Sequence, residues 1–365
     1  MTALTGSQVM PIEGIEDWER RLARQDAFWH REVLDRPPVH ITVPKEKPMA
    51  PYPVSAHGSI CERWFDAGYL AEAARAEVLN TEYLGDALPH VTPDLGPELF
   101  SGFFGCELTF DEETSWSHPN LMDWSRVGEL RFSTDNVYWK SIVEITDAML
   151  QAGEGLFYTS FTDLHSGADA IAAFRDPMQL NLDMRDCPEA VRSLLEHVTD
   201  TYLWVYDFFY QKLSSARQAI CMWGNQVSTK RWFIPQCDFS CMISPAMFRD
   251  MFLPALVREL RHYEVSLYHL DGPTALKHLY TLLEVPELTA IQWVYGAGNG
   301  RCSDWLPVYQ KIQAAGKGLE LRHLEMDELD CIMENLRPEG VWIGMAGVPN
   351  RDAAEHVLKR VAQWR

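Results

Sequence analysis

Residues 265–300, VSLYHLDGPTALKHLYTLLEVPELTAIQWVYGAGNG, constrain the fold more than any other stretch of this chain. An apolar run ends in a polar turn, a helical segment follows, and a second apolar run ends in a glycine loop. That is one strand–helix unit followed by the start of the next. Parallel neighbours need crossover connections of this length, and chemistry in such folds gathers where strands end. The turns after these two strands carry His269, Asp271, Gln292, Trp293 and Tyr295.

The same alternation continues downstream. Residues 265–269, 289–294, 319–323 and 341–345 read as buried strands, separated by helices that start near Thr274, Asp304, Asp327 and Arg351. Upstream, residues 156–161 and 219–223 read as strands and 168–174 as an alanine-rich helix. A long helix opens at Cys187-Pro188-Glu189 and runs to about Leu213. Ser244 and Pro245 form an N-cap and first-turn pair for a helix to about Tyr263.

The N-terminal third is less regular. A polar arm reaches about Glu16, and a helix through Trp18, Leu22, Phe28 and Trp29 is stopped by Arg36-Pro37-Pro38. A strand follows at 39–43, and residues 71–84 carry helical spacing. Residues 85–136 are rich in Gly, Pro, Asp and Trp and read as loops and short strands. The predicted architecture is α/β, a (β/α)8 TIM barrel with an elaborated, loop-rich N-terminal region: an arm and helix over 1–33, and the barrel over 34–365. An open doubly wound sheet would bring a glycine-rich first turn. Here Gly296, Gly298 and Gly300 come late, and Arg301 and Cys302 follow them, so the stretch reads as a loop beside the site.

Acidic residues outnumber basic ones, 52 to 32, for a formal net charge of −20. That balance opposes nonspecific binding to nucleic acid or to an anionic membrane. No apolar run approaches the ~20 residues of a membrane helix, and the first residues lack the basic and apolar blocks of a signal peptide. These features predict a cytoplasmic protein. Its eight cysteines are not spaced as a disulfide framework and are expected to be reduced.

Two sets of residues carry candidate chemistry. His269 and Asp271 lie two apart at a strand end and share a face, and Asp238 and Cys241 enter from the loop before the Ser244-Pro245 helix. An imidazole, two carboxylates and a thiolate can hold a divalent metal with an open position, or act as a base and its orienter without metal. The structural alternatives are that His269 donates to a backbone carbonyl and Asp271 caps the next helix. Cys237 and Cys241 also read as core or loop filling. Asp163 and His165 follow another strand and either join the same mouth or form an ordinary turn. Trp64, Trp116, Trp124, Trp223 and Trp293 either line a pocket for an apolar or sugar-like ligand or anchor the core.

The passages Leu34-Asp35-Arg36-Pro37-Pro38-Val39, Asp186-Cys187-Pro188-Glu189-Ala190-Val191, Ile243-Ser244-Pro245-Ala246-Met247-Phe248 and Tyr268-His269-Leu270-Asp271-Gly272 resemble the uroporphyrinogen decarboxylase superfamily. That superfamily includes zinc-dependent enzymes that move methyl groups between corrinoid proteins and thiols. The resemblance implies a (β/α)8 barrel and a small-molecule site at its C-terminal mouth. The same resemblance implies zinc as the divalent metal, a corrinoid protein as a partner and a homodimer; the residues read above as able to hold the metal are His269, Asp271, Asp238 and Cys241, and without metal no cofactor is expected. His269, Asp271 and Asp238 are the catalytic candidates; Asp163, His165, Trp223, Gln292, Trp293 and Tyr295 are the substrate-binding ones.

Two departures bear on activity. Asp271 stands where the methyltransferases place a cysteine two residues after the histidine, and residues 344–347 hold no second cysteine. The decarboxylases' arginine-rich motif is not evident in Arg24-Gln25-Asp26-Ala27-Phe28. The expected function is one-carbon group transfer or removal on a small organic substrate, by a metal-assisted methyltransferase-like enzyme. A metal-free decarboxylase or lyase, and an inactive ligand-binding barrel, are the alternatives.

Overall fold

The computed structural model describes residues 9–364; residues 1–8 of the expected arm, and residue 365, lie outside the described residues. The fold is mixed α/β, with fourteen α-helices and thirteen strands among the described residues. The strands are β1 (Val39–Pro44), β2 (Thr81–Gly85), β3 (His90–Val91), β4 (Glu107–Phe110), β5 (Ser115–His118), β6 (Tyr158–Thr159), β7 (Ile220–Cys221), β8 (Val227–Ser228), β9 (Trp232–Phe233), β10 (Val265–Asp271), β11 (Ala290–Val294), β12 (Gly318–Leu324) and β13 (Val341–Met345).

Seven of them form one sheet in the order β2-β1-β13-β12-β11-β10-β9. Only the β1–β2 pairing within it is antiparallel. The chain's last strand, β13, therefore lies beside its first, β1, as in a barrel. The ladder is nevertheless open: β3 pairs only with β6, and β7 only with β8. The expected continuous eight-stranded cylinder thus corresponds to a barrel-like layer. The cause lies in residues 85–91 and 155–161, where Gly85, Pro89 and Gly155 break strand spacing and leave two-residue bridges.

The strands of the sheet are buried on both faces, as parallel strands covered by helices must be. Leu267, Ile291, Leu319 and Ile343 are fully enclosed, and burying one such side chain contributes roughly 1.5–3 kcal/mol. The outer layer is helical. Its longest member, Pro188–Ser215, buries Val191, Leu195, Val198, Tyr202, Val205 and Phe209 along one stripe, and Phe161 stacks on Tyr206 at 5.0 Å.

Several elements differ from the sequence reading. Residues 71–84 divide into a helix, Ala67–Asn80, and the edge strand β2. The helices Val137–Ala152 and Pro177–Asp186 lie in stretches to which the sequence reading assigned no element. Asn136 and Asp176 cap them with side-chain oxygens, which gives turn-like composition a helix-starting role. The helix expected from Pro245 to about Tyr263 widens into a π turn at Phe248–Phe252 before resuming at Leu253–Leu260. Pro254 has no N–H for the carbonyl of Asp250, which instead accepts from Arg192 at 2.8 Å. The described part of the polar arm, from residue 9 onward, is packed: Val9 and Ile12 join Leu88, Tyr158, Cys221 and Val227 in a second small core. No helix among the described residues is long and apolar enough to cross a membrane.

Candidate functional site

Register sets which side chains face inward together. Gln236 bridges to His269, His269 is level with Gln292, Gln292 with Glu320, and Glu320 with Trp342. One layer further toward the strand ends, Asp271 is level with Val294, and His40 with Gly344. Arg322, two residues beyond Glu320, points to the same face by the two-residue period of a strand.

Asp238, His269 and Asp271 converge. Each offers one ligand atom, and these atoms all lie within 4.8 Å of one another. Asp238 reaches the group from the 3-10 turn Asp238–Met242. That turn is held by Asp169, whose two oxygens accept the backbone N–H groups of Asp238 at 3.0 Å and Phe239 at 2.8 Å. Asp238 Oδ1 is enclosed and has no hydrogen-bond partner. Burial, with Asp238 adding to it, raises the Asp271 carboxyl, and His269 pulls it back down.

The His269 ring is oriented by its neighbours. Its Nδ1 lies 2.5 Å from Gln292 Oε1, and Gln292 Nε2 donates to the buried Glu320 at 2.5 Å. With its amide nitrogen engaged on Glu320, Gln292 presents only an acceptor to His269. The contact therefore places a proton on Nδ1 and leaves Nε2 as the ring nitrogen that Gln292 does not engage. Trp223 meets the ring edge-on, with centroids 5.1 Å apart.

Two carboxylates and one imidazole nitrogen form a hard, nitrogen–oxygen donor set suited to a divalent ion. The orphaned Asp238 oxygen fits that use, since an enclosed acceptor without a donor is costly and a cation satisfies it. Of the structural alternatives, His269 does not use its ring to reach a backbone carbonyl, and no side-chain cap hydrogen bond from Asp271 starts the next helix.

The other expected residues divide. Cys241 is not part of the converging group; it lines a neighbouring cleft of about 320 Å³ with His165, Asp169, Asp238 and Met242. Burial and then Asp238 push its thiol up. Asp163 and His165 pair at 3.1 Å, and Gln236 donates to Asp163 at 3.4 Å. Burial opposes the His165 charge, but the Asp163, Asp169 and Asp238 carboxylates outweigh it, and His165 is pushed up to about 9. Burial, with Asp238, pushes Asp169 up to about 7.

Trp293 is a correction to the substrate-binding set. It lies on the opposite face of β11 from Gln292, fully buried against Trp305 with centroids 5.0 Å apart. Tyr295 stacks on the same Trp305, at 6.2 Å. Trp64 packs on Phe110 and Trp124 lies under Arg175, so neither joins Trp223 beside His269. Gly296, Gly298 and Gly300 all take positive φ in an exposed loop, which explains their spacing without a dinucleotide.

Asp169, Gln236, Glu320, Arg322 and His40 were not singled out by sequence reasoning. Asp169 looks like an ordinary helix-surface acid. Glu320 and Arg322 did give a signal: two charges inside the otherwise apolar strand GLELRHL.

The arginine passage is explained by packing. Arg24 pairs with Asp35 at 2.7 Å and with the fully buried Asp86 at 2.8 Å, and Arg36 also binds Asp86. Asp35-Arg36-Pro37-Pro38 is thus an anchor for β1, and Arg24 has no free fork for a carboxylated ligand.

No protein-family profile matches the chain, and no curated protein matches it in sequence. Among solved structures, its fold is similar to that of a methyltransferase from Methanosarcina mazei, with a TM-score of 0.59 and 12% sequence identity over 94% of this chain and 98% of that one.

Proposed function

We propose that this chain is a metal-assisted, methyltransferase-like enzyme of the uroporphyrinogen decarboxylase superfamily, which moves a one-carbon group on a small organic substrate. The observation that carries this reading is the convergence of Asp238, His269 and Asp271 within 4.8 Å, with an enclosed Asp238 oxygen that has no donor. The fold shared with a solved methyltransferase supports the same class. The accompanying fold reading is a closed (β/α)8 cylinder, supported by single bonds that link the short strands. Asp86 N–H donates to Val39 at 2.7 Å, Tyr158 to Pro89 at 3.0 Å and Phe161 to Cys221 at 2.9 Å.

Asp238, His269 and Asp271 would hold a zinc or similar divalent ion. When bound, such an ion supplies Lewis acidity to an acceptor group on the substrate. The chain's own residues do the rest. Gln292 keeps His269 in one tautomer, and Asp169 fixes the turn that carries Asp238. Trp223 covers the ring and limits water on that side. His165, held cationic by Asp163, keeps a proton at Nε2 beside the cleft. On this reading the methyl donor is a corrinoid protein that docks over the strand ends.

Metal content of protein purified without chelators tests the reading, together with His269→Ala. One divalent ion per chain, lost in the variant together with turnover, is the expected result. No metal, with His269→Ala indistinguishable from the parent, overturns it. Activity that survives exhaustive chelation would point instead to metal-free decarboxylation or lyase chemistry.

A further inference from the structure

Across the interior from the converging carboxylates lies a second set of polar groups that the proposed chemistry leaves unused. Arg322 projects from β12 with its guanidinium carbon 5.5 Å from the centroid of Trp223. Among the described residues its one ionic neighbour is Glu320 at 4.0 Å, the outer limit for such a pair, and Glu320 is already engaged below by Gln292. Arg322 Nη1 is enclosed without a hydrogen-bond partner. So are two further polar atoms of neighbouring residues, His40 Nδ1 and Trp223 Nε1. His40 stacks on Trp342 at 5.7 Å, in the layer of Asp271 and Arg322.

Enclosed polar atoms without partners are rare in folded proteins, and each is costly to leave so. Two of them beside a cation whose own Nη1 is also unpartnered, in the interior of a protein with a net charge of −20, form a local exception to its overall field. A planar guanidinium with free N–H groups suits a carboxylate, which accepts two parallel hydrogen bonds. Trp223 touches both Arg322 and His269, so a molecule that spans the two sites need be only about one indole ring long.

We propose that Arg322, with His40 and Trp223, is the subsite for a carboxylate group of the substrate, which places the opposite end of a short molecule at Asp238, His269 and Asp271. The substrate class is therefore a small carboxylic acid with its reacting atom a few bonds from the carboxylate. This rests on the reading of those three residues as the reacting centre, but the recognition step does not require the ion. Arg322 acts in binding, and a neutral imidazole at His40 provides one further hydrogen-bonding group without adding charge.

Calorimetric titration of the full chain with short carboxylic acids, propionate to succinate, each paired with its primary amide, tests the proposal. The series is run on protein as purified and after chelation. At least one acid is expected to bind about tenfold to a hundredfold more tightly than its amide, and Arg322→Gln is expected to abolish that preference. Arg322→Lys, which keeps the charge and loses the fork, is expected to retain part of it. Acid preference that persists after chelation, and in His269→Ala, supports the subsite even if the metal reading fails. Equal binding of acids and amides to the parent protein, or an acid preference unchanged in Arg322→Gln, overturns it. Should Arg322→Gln fail to fold, the parent's acid-to-amide ratio and its change in Arg322→Lys decide the matter.

Discussion

His269 Nδ1 sits 2.5 Å from Gln292 Oε1, and the two residues are level across the parallel β10–β11 pair. The amide of Gln292 passes the contact on to Glu320 at 2.5 Å, so three adjacent strands fix one imidazole. Partners behind a ligating histidine typically change metal affinity 10–100-fold when removed. Gln292→Leu keeps the side-chain bulk and removes both contacts. It is expected to weaken divalent-metal affinity by about 10–100-fold, measured by chelator competition. Unchanged affinity would separate Gln292 from the site.

His165 supplies a pH signature. Burial alone would lower it, but Asp163 at 3.1 Å, with Asp169 and Asp238 beyond, pushes it up to about 9. Its folded value thus lies above the ordinary 6.5 of histidine. The stability it contributes is fully present below about pH 6.5 and is lost as pH rises through about 9. An NMR titration of the ring is expected to find it cationic at pH 7, and Asp163→Asn is expected to bring it back toward the ordinary range. A ring that titrates near 6.5 in the parent protein would contradict this electrostatic picture.

Legibility in the sequence followed burial. Strands β10 to β13 announce themselves because both faces are apolar, and their helices carry clear start signals. The short strands β3, β8 and β9 do not, since each spans only two residues, whereas the strands read over 156–161 and 219–223 survive as the two-residue β6 and β7. At the site, His269 and Asp271 stood out because they end a strand, and Asp238 because it precedes a capped helix. Arg322 and Glu320 were harder to weigh: alternation places them inward only once the register of β12 against β11 is known. Trp293 misled for the same reason. It neighbours Gln292 in sequence, and a strand sends neighbours to opposite faces.

The contrast between two tryptophans tests that assignment. Trp293 is fully buried against Trp305, on the helix side of its strand. Trp293→Ala is expected to cost about 3–5 kcal/mol of stability, read by denaturant unfolding. Trp293→Phe, the milder change, should leave ligand binding intact. Trp223→Phe should do the reverse, with little loss of stability and weakened ligand binding, because Trp223 touches His269 and Arg322. Ligand binding lost in Trp293→Phe but kept in Trp223→Phe would exchange their roles.

The buried ion network at the head of β1 yields the largest expected stability effect. Asp86 has no exposed surface; it binds Arg24 at 2.8 Å and Arg36, and accepts the Val39 N–H at 2.8 Å. An enclosed carboxylate shared by two guanidinium groups adds little net stability against apolar packing, but breaking it strands uncompensated charge. Asp86→Ala leaves Arg36 without its acid and Arg24 with Asp35 alone, and exposes the Val39 N–H to a void. The expected loss is about 3–5 kcal/mol, measured by urea unfolding monitored through tryptophan fluorescence. Replacing the exposed partner of Arg20, by Asp35→Asn, should cost less, because Asp35 is one-third exposed and solvent screens it. If Asp86→Ala proved no more damaging than Asp35→Asn, β1 would not depend on this anchor, and the position of His40 beside Arg322 would need another support.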